Sequence, residues 1–158
     1  MKPRPRKTLC IDPRFAAYPL RIAPSPIDGY GLFAAAPIPR GRKVIEYTGE
    51  RIRWPEAYSR LKKLLQPGCS KRFYMFRLNR LWLIDGAVGG SGAERVNHSC
   101  TPNLYVRRMR NHILFFSRRR IRPGEELSFD YRLSPDTFHI RCRCGSPNCR
   151  GFLNRKST

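Results

Sequence analysis

The sequence predicts a mostly β protein built from several short strands and a single helix. Short runs rich in Val, Ile, Leu, Phe and Tyr recur along the chain, each bounded by Gly, Pro, Asn or Asp. The 158 residues include 12 Gly and 14 Pro, a turn density that suits hairpins better than long helices. Only one stretch spaces its apolar residues at helical intervals. At this length one hydrophobic core, and so one domain, is expected.

Leu20 and Ile22 begin a first strand. Pro24, Pro26 and Asp28-Gly29 then signal a turn that returns the chain as residues 31–35. Pro39-Arg40-Gly41 leads into two further strands, 43–48 and 50–53, on either side of Gly49. Pro55 suits a first helical position, and Ala57, Tyr58, Leu61, Leu64 and Leu65 follow at helical spacing until Pro67-Gly68 stops them, which predicts one helix near 55–66. Residues 73–78 and 81–84 flank Asn79-Arg80 as a hairpin. Residues 86–92 are glycine-rich, but no Gly-Lys-Ser/Thr follows, so they read as a close crossing of backbones rather than a phosphate cradle. A second hairpin joins 104–109 to 113–117 around Arg110-Asn111, and Pro123-Gly124 turns the chain into an extended stretch, 125–131. The Pro-, Lys- and Arg-rich beginning reads as a flexible basic arm, taken to residue 18.

The net charge of +21 comes from 32 basic against 11 acidic residues, and 25 of the 32 are arginine. Such an excess implies a polyanion or a nucleic-acid-rich compartment close at hand, or else a solvated basic surface. Arg107, Arg108, Arg118, Arg119 and Arg120, on adjacent predicted strands, are the candidate nucleic-acid grip. There is no apolar run of signal-peptide length and none of 18 residues, so an intracellular protein without membrane contact is expected.

The densest chemistry lies in Asn97-His98-Ser99-Cys100. An amide and an imidazole between Val96 and Cys100 are expected to be partly buried and to need partners, which a ligand can supply. Cys142-x-Cys144-x4-Cys149 presents three thiols within eight residues, and tetrahedral zinc needs a fourth ligand. Cys100 is the candidate, and His139 the alternative. Cys10 and Cys69 lack suggestive neighbours and read as small buried hydrophobes. Phe129 and Tyr131 lie two apart, on one side of a strand.

Seven collinear pieces carry a family resemblance: residues 29–34 (Gly-Tyr-Gly-Leu-Phe-Ala), 46–50 (Glu-Tyr-Thr-Gly-Glu), 74–76 (Tyr-Met-Phe), Asp85, 97–100, 126–131 (Glu-Leu-Ser-Phe-Asp-Tyr) and the cysteine cluster through Gly151. Together they resemble SET-domain protein lysine methyltransferases with a C-terminal post-SET zinc module. The resemblance implies a β-clip-like fold of small sheets with a knot-like C-terminal threading. It divides the chain into the arm (1–18), a SET domain (19–133), a post-SET zinc module (134–154) and a tail (155–158).

It also implies S-adenosylmethionine as methyl donor and one structural zinc held by Cys100, Cys142, Cys144 and Cys149. The donor would be held by Gly29, Tyr30, Gly31, Tyr74, Asn97 and His98, and covered by Phe152 and Leu153. Tyr47, Phe129 and Tyr131 would form the lysine channel, with Tyr131 orienting the amine and Phe129 in the product-specificity position, where a Phe implies di- or trimethylation. The implied substrate is a lysine of a histone or another basic nucleic-acid-packaging protein, in the nucleus, on a chromosome or in a bacterial cytoplasm. Where many relatives have Arg-Phe before the Val96 position, this chain has Glu94-Arg95, and Ser91 stands where Asn is frequent, so an altered donor pocket is expected. A catalytically silent SET-like binding module and a basic zinc protein that binds nucleic acid are the rival readings.

Overall fold

In the first hairpin β1 (Leu20–Pro24) pairs antiparallel with β2 (Tyr30–Ala34), whose Leu32 and Ala34 are fully buried. The turn between them ends at Gly29, whose φ of +49 is costly for any residue with a Cβ. The computed structural model describes residues 9–64, 66–68, 72–136 and 139–155.

The main sheet has the order β3–β9–β8, from Lys43–Tyr47, His112–Ser117 and Leu104–Met109, all antiparallel. The β8–β9 hairpin turns on Arg110 and Asn111 at φ +46 and +66, the primed geometry that matches strand twist, although neither residue is glycine. One face of the sheet supplies Ile45, Tyr47, Ile113 and Phe115 to the core; the other carries Tyr105, Arg107, His112 and Phe116.

Gly49 separates β3 from β4 (Glu50–Arg53), and the two join different sheets. A Cβ on Gly49 would overlap the Asp85 carbonyl, so the chain crosses there at backbone distance. β4 lies at one edge of a second sheet, β4–β6–β5, with β6 at Trp82–Asp85 and β5 at Met75–Arg77. Asn79 closes the β5–β6 turn, its Oδ1 accepting from the Leu81 and Trp82 amides.

The helix, α1 (Trp54–Leu64), follows β4 directly. Its expected apolar face is mostly not a core face: Ala57 alone is buried, against Ile52 and Leu83, and Tyr58 is 72% exposed. Leu65 lies outside the described residues, as does Cys69. What anchors the helix is Arg60, whose guanidinium reaches Glu50 at 2.8 Å, Glu56 at 2.7 Å and the buried Asp85 at 2.7 Å. Arg60→Ala strands the Asp85 carboxylate, and a loss of about 2–4 kcal/mol in urea unfolding is expected, against under about 1 kcal/mol for Glu56→Gln at the surface.

A short helical turn, Ala93–Arg95, leads to β7 (Asn97–His98), which pairs in parallel with β10 (Ser128–Phe129). The expected strand 125–131 is divided because it serves two neighbours. Glu126 bridges Phe33 and the Leu127 amide bonds the Leu32 carbonyl, after which the chain moves to β7.

The arm is shorter than residues 1–18. Residues 1–8 lie outside the described set, but from Ile11 the chain is docked. The Asp12 amide donates to the Ser91 carbonyl, and residues 15–17 pair along the free edge of β3, with Ala16 opposite Ile45. That contact covers a sheet edge that would otherwise be open. Cys10 is exposed rather than buried.

Candidate functional site

The hairpin β1–β2, the sheet β4–β6–β5 and the crossing of β7 with β10 enclose a cavity of about 620 Å³. Its lining includes Tyr30, Tyr74, Asn97 and Leu153 as well as Tyr47, Phe76, Phe129 and Tyr131. The last four pack into an aromatic wall. Phe76 stacks on Phe129 at 5.4 Å, Tyr47 meets Phe76 edge-on at 5.2 Å, and Phe129 lies 4.7 Å from Tyr131. Phe115 backs Phe129 from the core at 4.9 Å.

Both tyrosines in this wall donate to backbone carbonyls: Tyr131 Oη to Val96 O at 3.0 Å, and Tyr47 Oη to Tyr74 O. Burial pushes both phenols above their ordinary pKa, so they are neutral at physiological pH. A phenol that spends its proton on a carbonyl keeps its lone pairs to accept an N–H. Tyr131 is fixed at its backbone as well, because its amide donates to His98 Nδ1 at 3.2 Å. An accepting Nδ1 requires a neutral His98 with its proton on Nε2, 3.4 Å from Cys100 Sγ. Burial, then the Arg150 charge, push the His98 pKa down to about 4.

Asn97 is a hub. Its Nδ2 lies 2.8 Å from Glu126 Oε1, 3.0 Å from Ser25 Oγ and 3.2 Å from the Asp28 carbonyl, and the Ser25 hydroxyl itself lies within 2.7–2.9 Å of the Glu126 carboxylate. A carboxylate only accepts, so Nδ2 must face it, and Oδ1 is left to receive a donor from elsewhere. Gly31 permits this arrangement, since a Cβ there would overlap Glu126 Oε1. At the neighbouring wall Arg95 lies over the Tyr74 ring at 5.1 Å and donates to its hydroxyl at 3.0 Å. Glu94 is 8% exposed, its Oε2 accepting from the Gly92 amide. Glu94 and Arg95 thus put a carboxylate beside Tyr47 and a guanidinium on Tyr74.

The sulfur atoms of Cys100, Cys142, Cys144 and Cys149 lie within 4.8 Å of one another, with Cys100 Sγ 3.8 Å from Cys142 and 4.0 Å from Cys149. Tetrahedral zinc with Zn–S near 2.3 Å places sulfurs about 3.8 Å apart, so the set fits one zinc ion. His139 takes no part: its Nε2 bonds the Pro135 carbonyl and its ring packs on Phe152. Arg150, next to Cys149, clamps Asp130 with two hydrogen bonds of 2.7 and 3.1 Å and also donates to the carbonyls of Phe152 and Leu153. The cysteine cluster is thereby fastened to the residue preceding Tyr131.

Among the sequence-predicted site residues, Tyr30, Tyr47, Tyr74, Asn97, Phe129, Tyr131 and Leu153 line the cavity. Gly29 and Gly31 flank Tyr30 but do not line the cavity; their missing Cβ atoms leave room for Arg72 and Glu126. His98 sits behind the cavity, holding Tyr131, and Phe152 is turned away onto His139 with 40% exposure. Ser25, Glu126, Asp130 and Arg150 had been given no role at the site. Each acts through a partner at least 20 residues away, for which sequence spacing gives no signal.

The SET domain family profile matches residues 29–132. The chain is 40% identical over 139 residues to histone-lysine N-methyltransferase ATX2 of Arabidopsis thaliana, covering 85% of this chain and 13% of that protein. Histone-lysine N-methyltransferase SETD1B of Homo sapiens is 37% identical over 145 residues, covering 89% of this chain and 7% of the relative. The histone-lysine N-methyltransferase, H3 lysine-4 specific, of Schizosaccharomyces pombe is 39% identical, with 85% and 15% covered. The chain thus spans less than a sixth of the length of these relatives. The family match runs from the β1–β2 turn through Tyr131, the stretch that builds the aromatic cavity: this chain belongs to the SET-domain family.

Proposed function

We propose that the chain is a protein-lysine N-methyltransferase that uses S-adenosylmethionine. The observation that carries the reading is the pair of neutral buried phenols, Tyr47 and Tyr131, whose protons are committed to carbonyls and whose oxygens border an aromatic cavity. When bound, S-adenosylmethionine supplies a methyl group on a positively charged sulfur. Asn97, with Oδ1 available, and Tyr30 and Tyr74 line the part of the cavity suited to the donor's polar end. The aromatic wall disfavours an ammonium by desolvation and so selects the neutral amine. Tyr131 and Tyr47 accept the amine's N–H groups and hold its lone pair in line, and the Val96 and Tyr74 carbonyls add partial negative charge. Neither phenol is a base, since burial keeps both protonated.

The reading extends to the substrate: a lysine on a histone or another basic nucleic-acid-packaging protein, at a nuclear or chromosomal location, which the names of the relatives support. Among the described residues no helix is long and apolar enough to cross a membrane. Nucleic-acid contact belongs to Arg107 and Arg118, on the far face of the main sheet, and to the exposed Arg120, rather than to all five candidate arginines. Arg107 lies over the stacked rings of Tyr105 and Phe116, and Arg118 near Tyr105. Arg119 is paired with Glu125, and Arg108 faces the cavity.

The reading is tested by methyl transfer to recombinant histones and to basic nucleoid proteins, followed by mass spectrometry of the products. Di- and trimethyl-lysine are expected, because Phe129 carries no hydroxyl to narrow the wall. With Phe129→Tyr, the second methylation is expected to slow about tenfold or more and monomethyl-lysine to accumulate. Donor binding without transfer to any lysine substrate would leave a silent module.

A further inference from the structure

The cavity is ringed by arginine. Arg72, Arg77, Arg95, Arg108, Arg132 and Arg155 line it, against Asp28 and Glu94. The two carboxylates are engaged locally, Asp28 by Arg72 at 3.3 Å and Glu94 by the Gly92 amide. Arg132 lies near Asp130 at 3.7 Å and Arg95 is spread over Tyr74.

Arg77 and Arg108 differ from these. They are neighbours across two sheets: Arg108 Nε donates to the Arg77 carbonyl at 2.8 Å, and its guanidinium lies 5.3 Å from the centre of the Phe76 ring. Phe76 in turn stacks on Phe129 and abuts Tyr47, so the two charges stand beside the aromatic wall. Both side chains are exposed where they line the cavity, and partial burial together with the Arg77 charge pushes the Arg108 pKa down. Among the described residues no carboxylate pairs with either one. A segment crowded with lysine and arginine would meet like charge there.

Resting on the proposed lysine methyltransferase activity, we infer that Arg77 and Arg108 receive an acidic side chain of the substrate, so that the enzyme selects a lysine with Asp or Glu within about three residues, on the order of 10 Å of extended chain. The acid supplies what the pair lacks, a carboxylate facing two adjacent guanidinium groups. It also sets the register of the substrate strand. A histone-class substrate is then read at an acidic stretch rather than in a uniformly basic tail.

The test is fluorescence anisotropy of single-lysine peptides on the full chain saturated with S-adenosylhomocysteine. Peptides of identical composition carry two Glu either beside the lysine or at the far end, which separates register from attraction to the +21 net charge. The near placement is expected to bind about tenfold tighter. Arg77→Glu/Arg108→Glu is expected to reverse the preference in favour of the far placement, and the milder Arg108→Gln to weaken it. Arg107→Glu/Arg118→Glu, on the other face, is expected to preserve it.

Equal binding of near and far peptides would overturn the inference. So would loss of the preference in the far-face variant alone, or displacement of both peptides alike by short duplex DNA, which would assign the pair to phosphate. Peptides that bind in register yet receive no methyl group with S-adenosylmethionine would instead refute the enzymatic reading and leave the docking site standing.

Discussion

Tyr131→Phe is expected to lower kcat for methyl transfer by about a hundredfold or more while leaving the affinity for S-adenosylmethionine within a few-fold of the parent. The substitution removes one oxygen and one hydrogen bond, that to the Val96 carbonyl, and retains the ring against His98 and Phe129. A small stability cost of about 1 kcal/mol is expected from the unpaired carbonyl, too little to unfold the domain. The amine would lose the acceptor that fixes its lone pair, an effect confined to the reacting geometry. Isothermal titration with the donor and single-turnover methylation separate the two quantities. Because burial keeps the phenol protonated, any acidic limb in the parent's pH profile should belong to the substrate amine and persist in Tyr131→Phe.

Removal of zinc is the second large effect. Chelation, or Cys100→Ser, is expected to release one zinc per chain, read with a metal-sensitive dye. It should detach residues 139–155 and abolish methyl transfer while strands β1–β9 remain folded by circular dichroism. Four thiolates brought close without their ion repel one another, and the free energy of zinc binding in such sites is on the order of 10 kcal/mol, more than the segment's few contacts replace. The loss reaches the active site by two routes. Arg150 no longer holds Asp130, and Leu153 no longer lines the cavity. Activity surviving chelation would show that the aromatic cavity works without the cysteine-bound segment.

What was legible in the sequence followed from local rules. The two hairpins around Asn79-Arg80 and Arg110-Asn111, the helix start at Pro55 and the three clustered cysteines needed only neighbours to interpret. Cys100 as the fourth ligand and the gathering of Asn97 with Tyr131 came from matching spaced motifs. Arrangements that depend on charge across long separations were invisible. Nothing in the sequence signals that Arg60 binds Asp85, 25 positions on, and Tyr58 counts toward the helix's apolar spacing although it is exposed and the helix leans on that ion cluster instead. Residues 125–131 read as one strand because sequence does not reveal that a segment changes partner midway. The docked residues 11–18 read as part of a loose arm because the basic, Pro-rich start was extended into them, although Ile11, Ala16 and Tyr18 pack on the core and the backbone of 15–17 pairs with β3.

The short parallel union of β7 with β10 has a consequence for how the protein comes into being. Ser25 awaits Glu126, 101 positions downstream, and Cys100 awaits Cys149. Closing such spans is slow relative to forming a hairpin, so the working site is assembled last. A nascent chain still tethered to the ribosome would hold folded sheets but no competent centre until residues 142–153 had emerged. The order of synthesis thus acts as a built-in delay on its chemistry.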